Sequence, residues 1–359
     1  MINVGLPRET KDGERRVALT PSAVAMLVGR GNRVLVQQGA GAGAGFNDDA
    51  YNRAGAELVS SAKEVWAADL VVKVKEPQPA EYQWFRDDLH LFTYLHLAAE
   101  PELTDALMRS GVAAWAFETL TDGDALPLLA PMSEVAGRAA AIVGASNLSS
   151  ATHGSGTLMG GAAGVPPAKV VVIGLGVAGT MAARGARGLD AHVTGIDIDL
   201  ERLYEHRRDG TIDASLISEP DLVGDHVAKA DLVIGAALVP GARAPQVVSE
   251  DQVAAMRPGS VIVDLAIDQG GCIATARPTS LSNPTYLSHG VVHYCVTNVP
   301  GQFPRTASAA LSAAVAPRAA VLAEQVASNA SPTEIAKHPR LAGSLNVAHG
   351  ELAHAALMN

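Results

Sequence analysis

Short runs of apolar residues alternate with segments of helical character through the first third of the chain. Residues 2–6 form an apolar run, Thr20-Pro21-Ser22 is typical of a helix start, and residues 48–55 have a helical pattern. Thr20 is the expected N-cap, and Pro21 suits the first turn because it needs no N–H partner. Further predicted strands cover residues 33–38, 69–75, 89–97 and 112–118. This alternation predicts an α/β fold with a parallel sheet.

A second alternation of the same kind begins after a break. Residues 147–167 are rich in Gly, Ser, Ala and Pro, which is typical of a loop or linker. The apolar run 169–174 then opens a second series of predicted strands, which continues at 193–197, 231–236 and 260–267. An Ala-rich stretch over 306–327 predicts a long packed helix near the end of the chain.

Composition and charge exclude several classes of protein. Of 359 residues, 48% are hydrophobic and 18% are charged, so the chain has material for a buried core and is not largely disordered. A formal net charge of −10 without a Lys- or Arg-rich run argues against nucleic acid and anionic membranes as partners. The N-terminus lacks the apolar core of a secretory signal, and the apolar run 170–183 is too short to span a bilayer. We therefore expect a soluble cytoplasmic protein.

The cysteines and histidines do not indicate a metal or a disulfide framework. Two cysteines, Cys272 and Cys295, cannot build a four-thiolate zinc site, and we expect both thiols to be free. The 11 histidines show no pair with the spacing of zinc ligands. No metal site is predicted.

The strongest local signal is a glycine-rich turn between a predicted strand and a predicted helix. Gly174 allows the tight turn, Gly176 lets the backbone approach a pyrophosphate, and Gly179 allows close packing of helix on strand. Asp197 ends the next strand, where a carboxylate accepts from a ribose 2′-hydroxyl and favours NAD over NADP. The alternatives are a tight turn without a cofactor and, for Asp197, a strand-end or capping acid, with Asp199 as the other candidate.

Two lysines and a histidine follow the first group of strands. The period of two places Lys73 and Lys75 on one face of a strand that Pro77 ends, so Lys75 lies where parallel sheets bind ligands. There it could bind a carboxylate or polarise a carbonyl; a solvated lysine is the alternative, and it suits Lys73 well. His96 closes an apolar run and is either a proton shuttle or a hydrogen-bonded core histidine.

Four further polar residues have both a chemical and a structural interpretation. Asp268 closes the strand 261–268 and either moves a proton or forms a turn with the glycines after it. Arg16 either binds a substrate carboxylate or pairs at the surface with a neighbouring acid. Ser133 is a helix cap or a cofactor contact, and Asn298 binds a carboxamide or shapes a turn.

Several stretches together resemble one family, the L-alanine dehydrogenases of the alanine dehydrogenase/pyridine nucleotide transhydrogenase group. The combination of KVKEP, APMSEVAGR and DLAIDQGG is highly specific. The resemblance spans nearly the whole chain, with matching stretches at residues 4–21, 74–77, 91–98, 126–138, 174–179, 231–245, 263–272 and 298–304. It implies reversible, NAD-dependent oxidation of L-alanine to pyruvate and ammonium.

The resemblance also implies roles for individual residues. Arg16 and Lys75 would bind the substrate, with Lys75 polarising the keto oxygen, while His96 and Asp268 would be the general acid/base groups. The implied contacts to NAD are Ser133, Gly174, Gly176, Val177, Gly179, Asp197, Arg202, Ser218, Ala237, Leu238, Leu265, Ala266, Ile267, Arg277, Val296, Thr297, Asn298 and Val299.

The implied architecture is two Rossmann-like, doubly wound domains that form a homohexamer. A substrate domain of residues 1–128 and 305–359 would be discontinuous, with an NAD domain of residues 129–304 inserted into it. We expect the reaction to take place where a nicotinamide on one domain faces the acid/base residues. The chain departs from the family pattern at 147–157, which lacks the usual Gly-Gly-Arg-Gly, and after Pro304, where small residues replace polar and aromatic ones. The competing hypotheses are the same chemistry on another small amino or keto acid, and a cofactor-binding regulator or transhydrogenase-like domain.

Overall fold

Fifteen short strands and eleven helices form the chain in a computed structural model that describes residues 1–238 and 243–358. Residues 239–242, part of the 231–245 stretch that carried the family resemblance, lie outside the described residues. The strands are β1 (Asn3–Leu6), β2 (Arg33–Gln37), β3 (Glu57–Val59), β4 (Leu70–Val72), β5 (His90–Thr93), β6 (Ala113–Ala116), β7 (Lys169–Ile173), β8 (His192–Asp197), β9 (Ala214–Ile217), β10 (Leu232–Gly235), β11 (Val261–Asp264), β12 (Thr285–Ser288), β13 (Val291–Tyr294), β14 (Leu345–Ala348) and β15 (Glu351–Leu352). The helices are α1 (Pro21–Gly29), α2 (Asp48–Arg53), α3 (Ala62–Trp66), α4 (Pro101–Ser110), α5 (Ala130–Asn147), α6 (Val177–Arg187), α7 (Leu200–Arg208), α8 (Pro220–Val227), α9 (Glu250–Ala254), α10 (Pro304–Ala327) and α11 (Pro332–Ile335).

The chain divides into two compact units, each built on one sheet. Unit 1 comprises Met1–Met132 and Phe303–Asn359, and unit 2 comprises Ser133–Gln302. The sheet of unit 1 has the order β15-β14-β6-β5-β4-β1-β2-β3, in which β1 to β6 are parallel, β14 is antiparallel to β6, and β15 is antiparallel to β14. Its strand order reverses between β1 and β4, the point where open α/β sheets bind ligands.

Unit 2 repeats the same winding. Its sheet has the order β12-β13-β11-β10-β7-β8-β9, and only the edge strand β12 is antiparallel. The order reverses between β7 and β10, directly beside the glycine-rich turn. Both units therefore have the doubly wound α/β architecture, and the predicted fold class is confirmed.

Helix α10 is the long Ala-rich helix that the sequence predicts. Within the described residues it is the one helix long and apolar enough to cross a membrane, and 56% of its most apolar window is buried inside the protein. Two of its hydroxyls hold the chain ahead of α1: Ser308 Oγ accepts from the Val17 N–H at 3.0 Å, and Ser312 Oγ from the Thr20 N–H at 2.9 Å. These contacts are those of a core helix. Thr20 stands at the N-cap position of α1 as predicted, but its side chain makes no capping bond.

Three predicted strands end earlier than their apolar runs. The predicted strands 69–75, 89–97 and 261–268 are observed as Leu70–Val72, His90–Thr93 and Val261–Asp264. In each case a side-chain carboxylate accepts main-chain N–H groups just beyond the strand, which takes those donors away from the sheet ladder. Hydrophobicity alone does not reveal this competition.

Lys73 is buried, and its interpretation as a solvated side chain is wrong. It is 0% exposed, with Nζ 2.8 Å from Glu81 Oε2 and 3.7 Å from Glu9 Oε2. The ammonium also lies 5.9 Å from the centre of the Trp66 ring. Two carboxylates compensate the buried charge, and they come from segments before and after β4 that the strand pattern does not connect.

We expect Lys73→Ala to destabilise the protein by about 3–5 kcal/mol, because it leaves two buried carboxylates without their cation. Arg33→Ala is the matched control: Arg33 pairs with Glu57 at the surface, with both side chains about half exposed, and its loss costs at most about 1 kcal/mol. Urea unfolding of both variants measures the difference. Equal losses would show that the Lys73 cluster contributes no more than a surface pair.

His90 and Trp115 form a second buried polar contact in unit 1. Trp115 Nε1 donates to His90 Nδ1 at 3.1 Å, which requires that nitrogen to be unprotonated, and the two rings stack. Burial lowers the pKa of His90 from 6.5 to about 4, partly offset by Asp69 and Asp88. The imidazole is therefore held neutral in the folded chain.

This lowered pKa predicts a loss of stability in mild acid. As the pH falls through 6.5, the unfolded chain takes up a proton at residue 90 that the folded chain does not accept until about pH 4. We expect His90 to remove roughly 3 kcal/mol of unfolding free energy across that window. His90→Asn keeps an acceptor and cannot titrate, so its stability should fall less steeply; His349→Asn, at an exposed histidine, should follow the wild type. If the urea midpoint falls by the same amount from pH 7 to pH 4 in His90→Asn and in the wild type, this prediction is wrong.

Candidate active site

Arg16 is held by a buried carboxylate rather than by a surface acid. It is 3% exposed, and its guanidinium donates two hydrogen bonds to the carboxylate of Glu14. Nε lies 2.7 Å from Oε1, and Nη2 lies 2.5 Å from Oε2. Nη1 lies 3.2 Å from Met132 Sδ. Burial alone would lower the pKa of the Arg16 guanidinium, but the hydrogen bonds and charge of Glu14 outweigh it and raise that pKa. The pairing with a neighbouring acid that the sequence suggests does exist, with Glu14, but it lies in the interior, where it fixes the orientation of the guanidinium.

Lys75 follows β4 by three residues, and its backbone is fixed by Glu9. The carboxylate of Glu9 accepts from the Val74 N–H at 2.6 Å and from the Lys75 N–H at 3.3 Å. Burial raises the pKa of Glu9, although Lys73 acts against that rise. The neighbouring Glu76 pairs with Lys11. Burial favours the neutral form of Glu76, but the charges of Lys75 and Lys11 outweigh it and lower its pKa.

His96 is exposed, so its interpretation as a core histidine is wrong. Its backbone is left-handed, with φ +52°, a conformation that few residues other than glycine adopt. Glu118 supports this conformation by accepting from the His96 N–H at 2.6 Å and from the Leu95 N–H at 3.1 Å. The imidazole is nearly parallel to the ring of Tyr94, with 5.8 Å between their centres.

Tyr94 stacks on this histidine and lies near the charge of Arg16. Its hydroxyl donates to the Leu128 carbonyl at 2.6 Å. Burial raises the pKa of Tyr94, and the nearby charge of Arg16 partly offsets the rise. Unit 1 thus brings Arg16, Lys75 and His96 to the carboxyl edge of its sheet, beyond the neighbouring strands β1, β4 and β5. An oriented guanidinium, an ammonium and an exposed imidazole can together bind a small carboxylate and exchange a proton with it.

In unit 2 the glycine-rich turn has the geometry that the sequence predicts. Gly174 has φ +85°, and Gly176 is the N-cap of α6. A Cβ on Gly179 would lie 1.7 Å from the Gly174 carbonyl oxygen, whereas a Cβ on Gly176 would meet nothing within 4 Å. Gly179 is needed for packing, and Gly176 borders open space at the N-terminus of a helix, so these residues fit a dinucleotide pyrophosphate.

Asp197 ends β8 beside this turn and is nearly buried. Its Oδ2 accepts from the Leu175 N–H at 2.6 Å, and Arg202 Nη1 lies 3.3 Å from the same oxygen. A carboxylate has further acceptor sites, so a ribose hydroxyl can still bind to it. Asp199 caps α7 by accepting from the N–H groups of Glu201 and Arg202. Both acids therefore bind main-chain N–H groups, and it is the place of Asp197 at the end of β8, beside the glycine-rich turn, that favours it as the ribose ligand.

Asp268 does not close a strand. β11 ends at Asp264, and Asp268 is exposed on the 3₁₀ turn Ile267–Gln269 that follows. Asp264 ends the strand because its buried carboxylate accepts from the N–H groups of Ala266 and Cys272, each at 2.9 Å. Burial raises the pKa of Asp264 to about 6, against these hydrogen bonds. Gly270 and Gly271 then turn the chain with positive φ, as predicted.

Most of the remaining predicted cofactor residues follow the carboxyl ends of strands in unit 2. Each short group comes directly after one strand: Val177 follows β7, Ser218 follows β9, Ala237 and Leu238 follow β10, Leu265–Ile267 follow β11, and Val296–Val299 follow β13. Asn298 has φ +60°, in the turn it was expected to shape. Ser133 is not a cap, because α5 begins three residues earlier. Arg277 is exposed, with its guanidinium 4.2 Å from the centre of the Tyr286 ring.

Three carboxylates at these edges were missed by the sequence analysis, namely Glu9, Glu118 and Asp264. Each accepts main-chain N–H groups in a loop that carries a predicted site residue. The available signal was an acid at the end of an apolar run, as in VIVD at 261–264. That signal does not tell which donors the acid accepts from.

Comparison with known proteins gives a consistent result. The sequence profile described as "Alanine dehydrogenase/PNT, C-terminal domain" matches residues 140–355, and the corresponding N-terminal profile matches residues 5–136. The chain belongs to this family. It is 50% identical to "Alanine dehydrogenase" of Bacillus subtilis over 99% of this chain and 93% of that protein, and 52% identical to "Alanine dehydrogenase" of Mycobacterium tuberculosis over 90% and 88%.

Solved structures of the family have the same fold. A structure titled "L-alanine dehydrogenase" has a TM-score of 0.94 and 48% identity, covering 99% of this chain and 98% of its own. A transhydrogenase from Sinorhizobium meliloti has a TM-score of 0.83 and 28% identity, covering 99% of each chain. The chain resembles the former more in both sequence and structure.

The two glycines of the turn should respond differently to the same substitution. Gly179→Ala forces a methyl group into the Gly174 carbonyl, so we expect it to destabilise the protein by about 3 kcal/mol. Gly176→Ala fills open space next to the N-terminus of α6, so stability should be unchanged while NAD affinity falls about tenfold or more. Thermal unfolding and NAD titration of both variants test this. Unchanged NAD affinity in Gly176→Ala would place the pyrophosphate elsewhere.

Proposed function

We propose that the protein catalyses the reversible, NAD-dependent oxidative deamination of L-alanine. L-alanine, NAD and water give pyruvate, ammonium, NADH and a proton. One observation carries the proposal. The chain is 50% identical to an alanine dehydrogenase over 99% of its own length, and it has the guanidinium of Arg16, the ammonium of Lys75 and the imidazole of His96 at one sheet edge. The alternative, the same chemistry on another small amino or keto acid, has no observation in its favour.

Arg16 and Lys75 bind the substrate. The guanidinium of Arg16 is oriented by Glu14, so it meets the substrate carboxylate without first losing rotational freedom. The ammonium of Lys75 stabilises the negative charge that develops on the keto oxygen of pyruvate when ammonia adds to the carbonyl. In the oxidative direction it stabilises the oxygen that water brings to the imine carbon. Glu14 orients the guanidinium of Arg16 and balances its charge, and Glu9 fixes the backbone of Lys75.

His96 and Asp268 move the protons. The exposed imidazole of His96 takes a proton from the substrate during oxidation and returns it during reduction, since an imidazole can both accept and donate a proton. The carboxylate of Asp268 holds the attacking water at the imine stage and accepts its proton. NAD, when bound, supplies the hydride acceptor. The residues of the glycine-rich turn, with Asp197, hold its pyrophosphate and ribose, and the other predicted contacts follow the strands of unit 2.

The domain roles follow from this division of residues. We propose residues 1–128 and 305–359 as the substrate domain and residues 129–304 as the NAD domain; the compact units divide within four residues of these limits. A cytoplasmic location and a homohexamer belong to the same proposal, and the family relationship supports both. The net charge of −10 supports a protein without nucleic acid or membrane partners.

The deciding experiment follows the absorbance of NADH. The purified protein is incubated with L-alanine and NAD, then with NADP, and in the reverse direction with ammonium and a panel of 2-keto acids. We expect activity with alanine and pyruvate and a strong preference for NAD, because Asp197 repels a 2′-phosphate. Activity with a different keto acid but not pyruvate would replace the substrate. NAD binding without any turnover would indicate a regulator.

We expect His96→Ala and Asp268→Ala each to lower kcat by about 100-fold or more, while NAD binding survives. His349→Ala is the matched control for the histidine, since His349 is likewise exposed with positive φ, at 54°, and it should keep wild-type turnover. Asp225→Ala serves in the same way for the exposed acid. Steady-state rates and NAD titration give the result, and near-wild-type turnover in either test variant removes that residue from the mechanism.

A further inference from the structure

Asp264 joins the two ends of the loop that carries Asp268. Its Oδ1 accepts from the Ala266 N–H at 2.9 Å, at the start of the loop. Its Oδ2 accepts from the N–H groups of Cys272 at 2.9 Å and Ile273 at 3.2 Å, at the end of the loop. The side chain is 1% exposed, so these main-chain donors meet a carboxylate that water scarcely reaches.

The segment between these two ends is short and contains the residues of interest. Residues 265–271 include the 3₁₀ turn with Asp268 and the predicted cofactor contacts Leu265–Ile267. Gly271 fits against the carboxylate so closely that a Cβ there would lie 2.9 Å from Asp264 Oδ2. Main-chain bonds shape the turn inside the loop, such as the Gly271 N–H to the Ala266 carbonyl at 3.0 Å, and the Asp264 carboxylate is the side chain that binds both of its ends.

We propose that Asp264 is a positioning residue, whose carboxylate closes the loop 265–271 and so fixes Asp268 and the adjacent cofactor contacts. The closure itself rests on the geometry of unit 2. Its consequence for catalysis rests on the proposed function.

The closure requires a carboxylate and not merely a polar side chain of that size. Both oxygens of a carboxylate accept, so one side chain satisfies donors on both sides. Asparagine has the same shape, but one of its two terminal groups is an NH₂, which donates and cannot accept. In either orientation of the side-chain amide, this NH₂ faces a main-chain N–H that then has no acceptor. Asp264→Asn therefore keeps the packing and opens one end of the loop.

The test compares Asp264→Asn with Asp231→Asn. Asp231 is the matched control. It directly precedes β10, the strand next to β11, at the amino edge of the same sheet. It is nearly buried and accepts from the Lys169 N–H at 2.8 Å. We expect Asp264→Asn to lower kcat by about 100-fold, as a displacement of about 1 Å does, and to change the alanine KM little. Residue-resolved hydrogen exchange should lose protection about tenfold at Ala266, Cys272 and Ile273. Asp231→Asn should change thermal stability to a similar degree, with neither effect.

The outcomes separate this proposal from the proposed function. Wild-type kcat together with unchanged exchange in Asp264→Asn overturns the positioning role. If the wild-type protein oxidises no amino acid, the proposed function fails, and the exchange measurement still decides whether Asp264 closes the loop. If Asp264→Asn does not fold, exchange in the wild type decides: slow exchange at all three amides supports the closure, and exchange at the rate of an open loop overturns it.

Discussion

Carboxylates that accept main-chain N–H groups beyond the ends of parallel strands set the geometry of both units. A strand that ends leaves its next donors without a ladder partner, and these must be satisfied before the chain can turn. Glu9, Glu118 and Asp264 each satisfy two or three of them. Hydrogen bonds to a charged acceptor are stronger than those between neutral groups. The loops beyond the strands are consequently fixed by Asp264 at a strand end and by Glu9 and Glu118 from neighbouring loops.

In this arrangement the residues that fix the backbone differ from the residues that are exposed to a ligand. His96 is exposed, yet its own N–H and that of Leu95 are bound by Glu118, so the imidazole projects from a fixed backbone. The same acids would repel an anionic substrate if they stood alone. In unit 1 the buried cation Lys73 opposes Glu9 and also pairs with Glu81, and Arg16 pairs with Glu14. The pairing with Glu14 leaves the guanidinium of Arg16 in a fixed orientation.

The features predicted well from the sequence are those decided by neighbours along the chain. The glycine-rich turn is one: a strand, three glycines and a helix start lie within a few residues, and Gly174 and Gly176 have the roles their spacing predicts. The strand ends and the burial of Lys73 were predicted wrongly for the opposite reason. Lys73 depends on Glu9, and the end of β5 depends on Glu118, which are distant in sequence and adjacent only once the sheet has formed.

The two sheets share one winding order but differ at the point where the order reverses, and this difference agrees with the different ligands proposed for them. In unit 2, Gly174 follows β7, and the start of α6 presents unobstructed backbone N–H groups, which suits a large phosphate-bearing cofactor. In unit 1, Pro7 follows β1 and has no N–H to offer, and Glu9 fills the reversal point by binding the loop of Lys75. Arg16 and Lys75 offer side-chain charge at this edge instead, and side-chain charge agrees with the small carboxylate substrate proposed for unit 1.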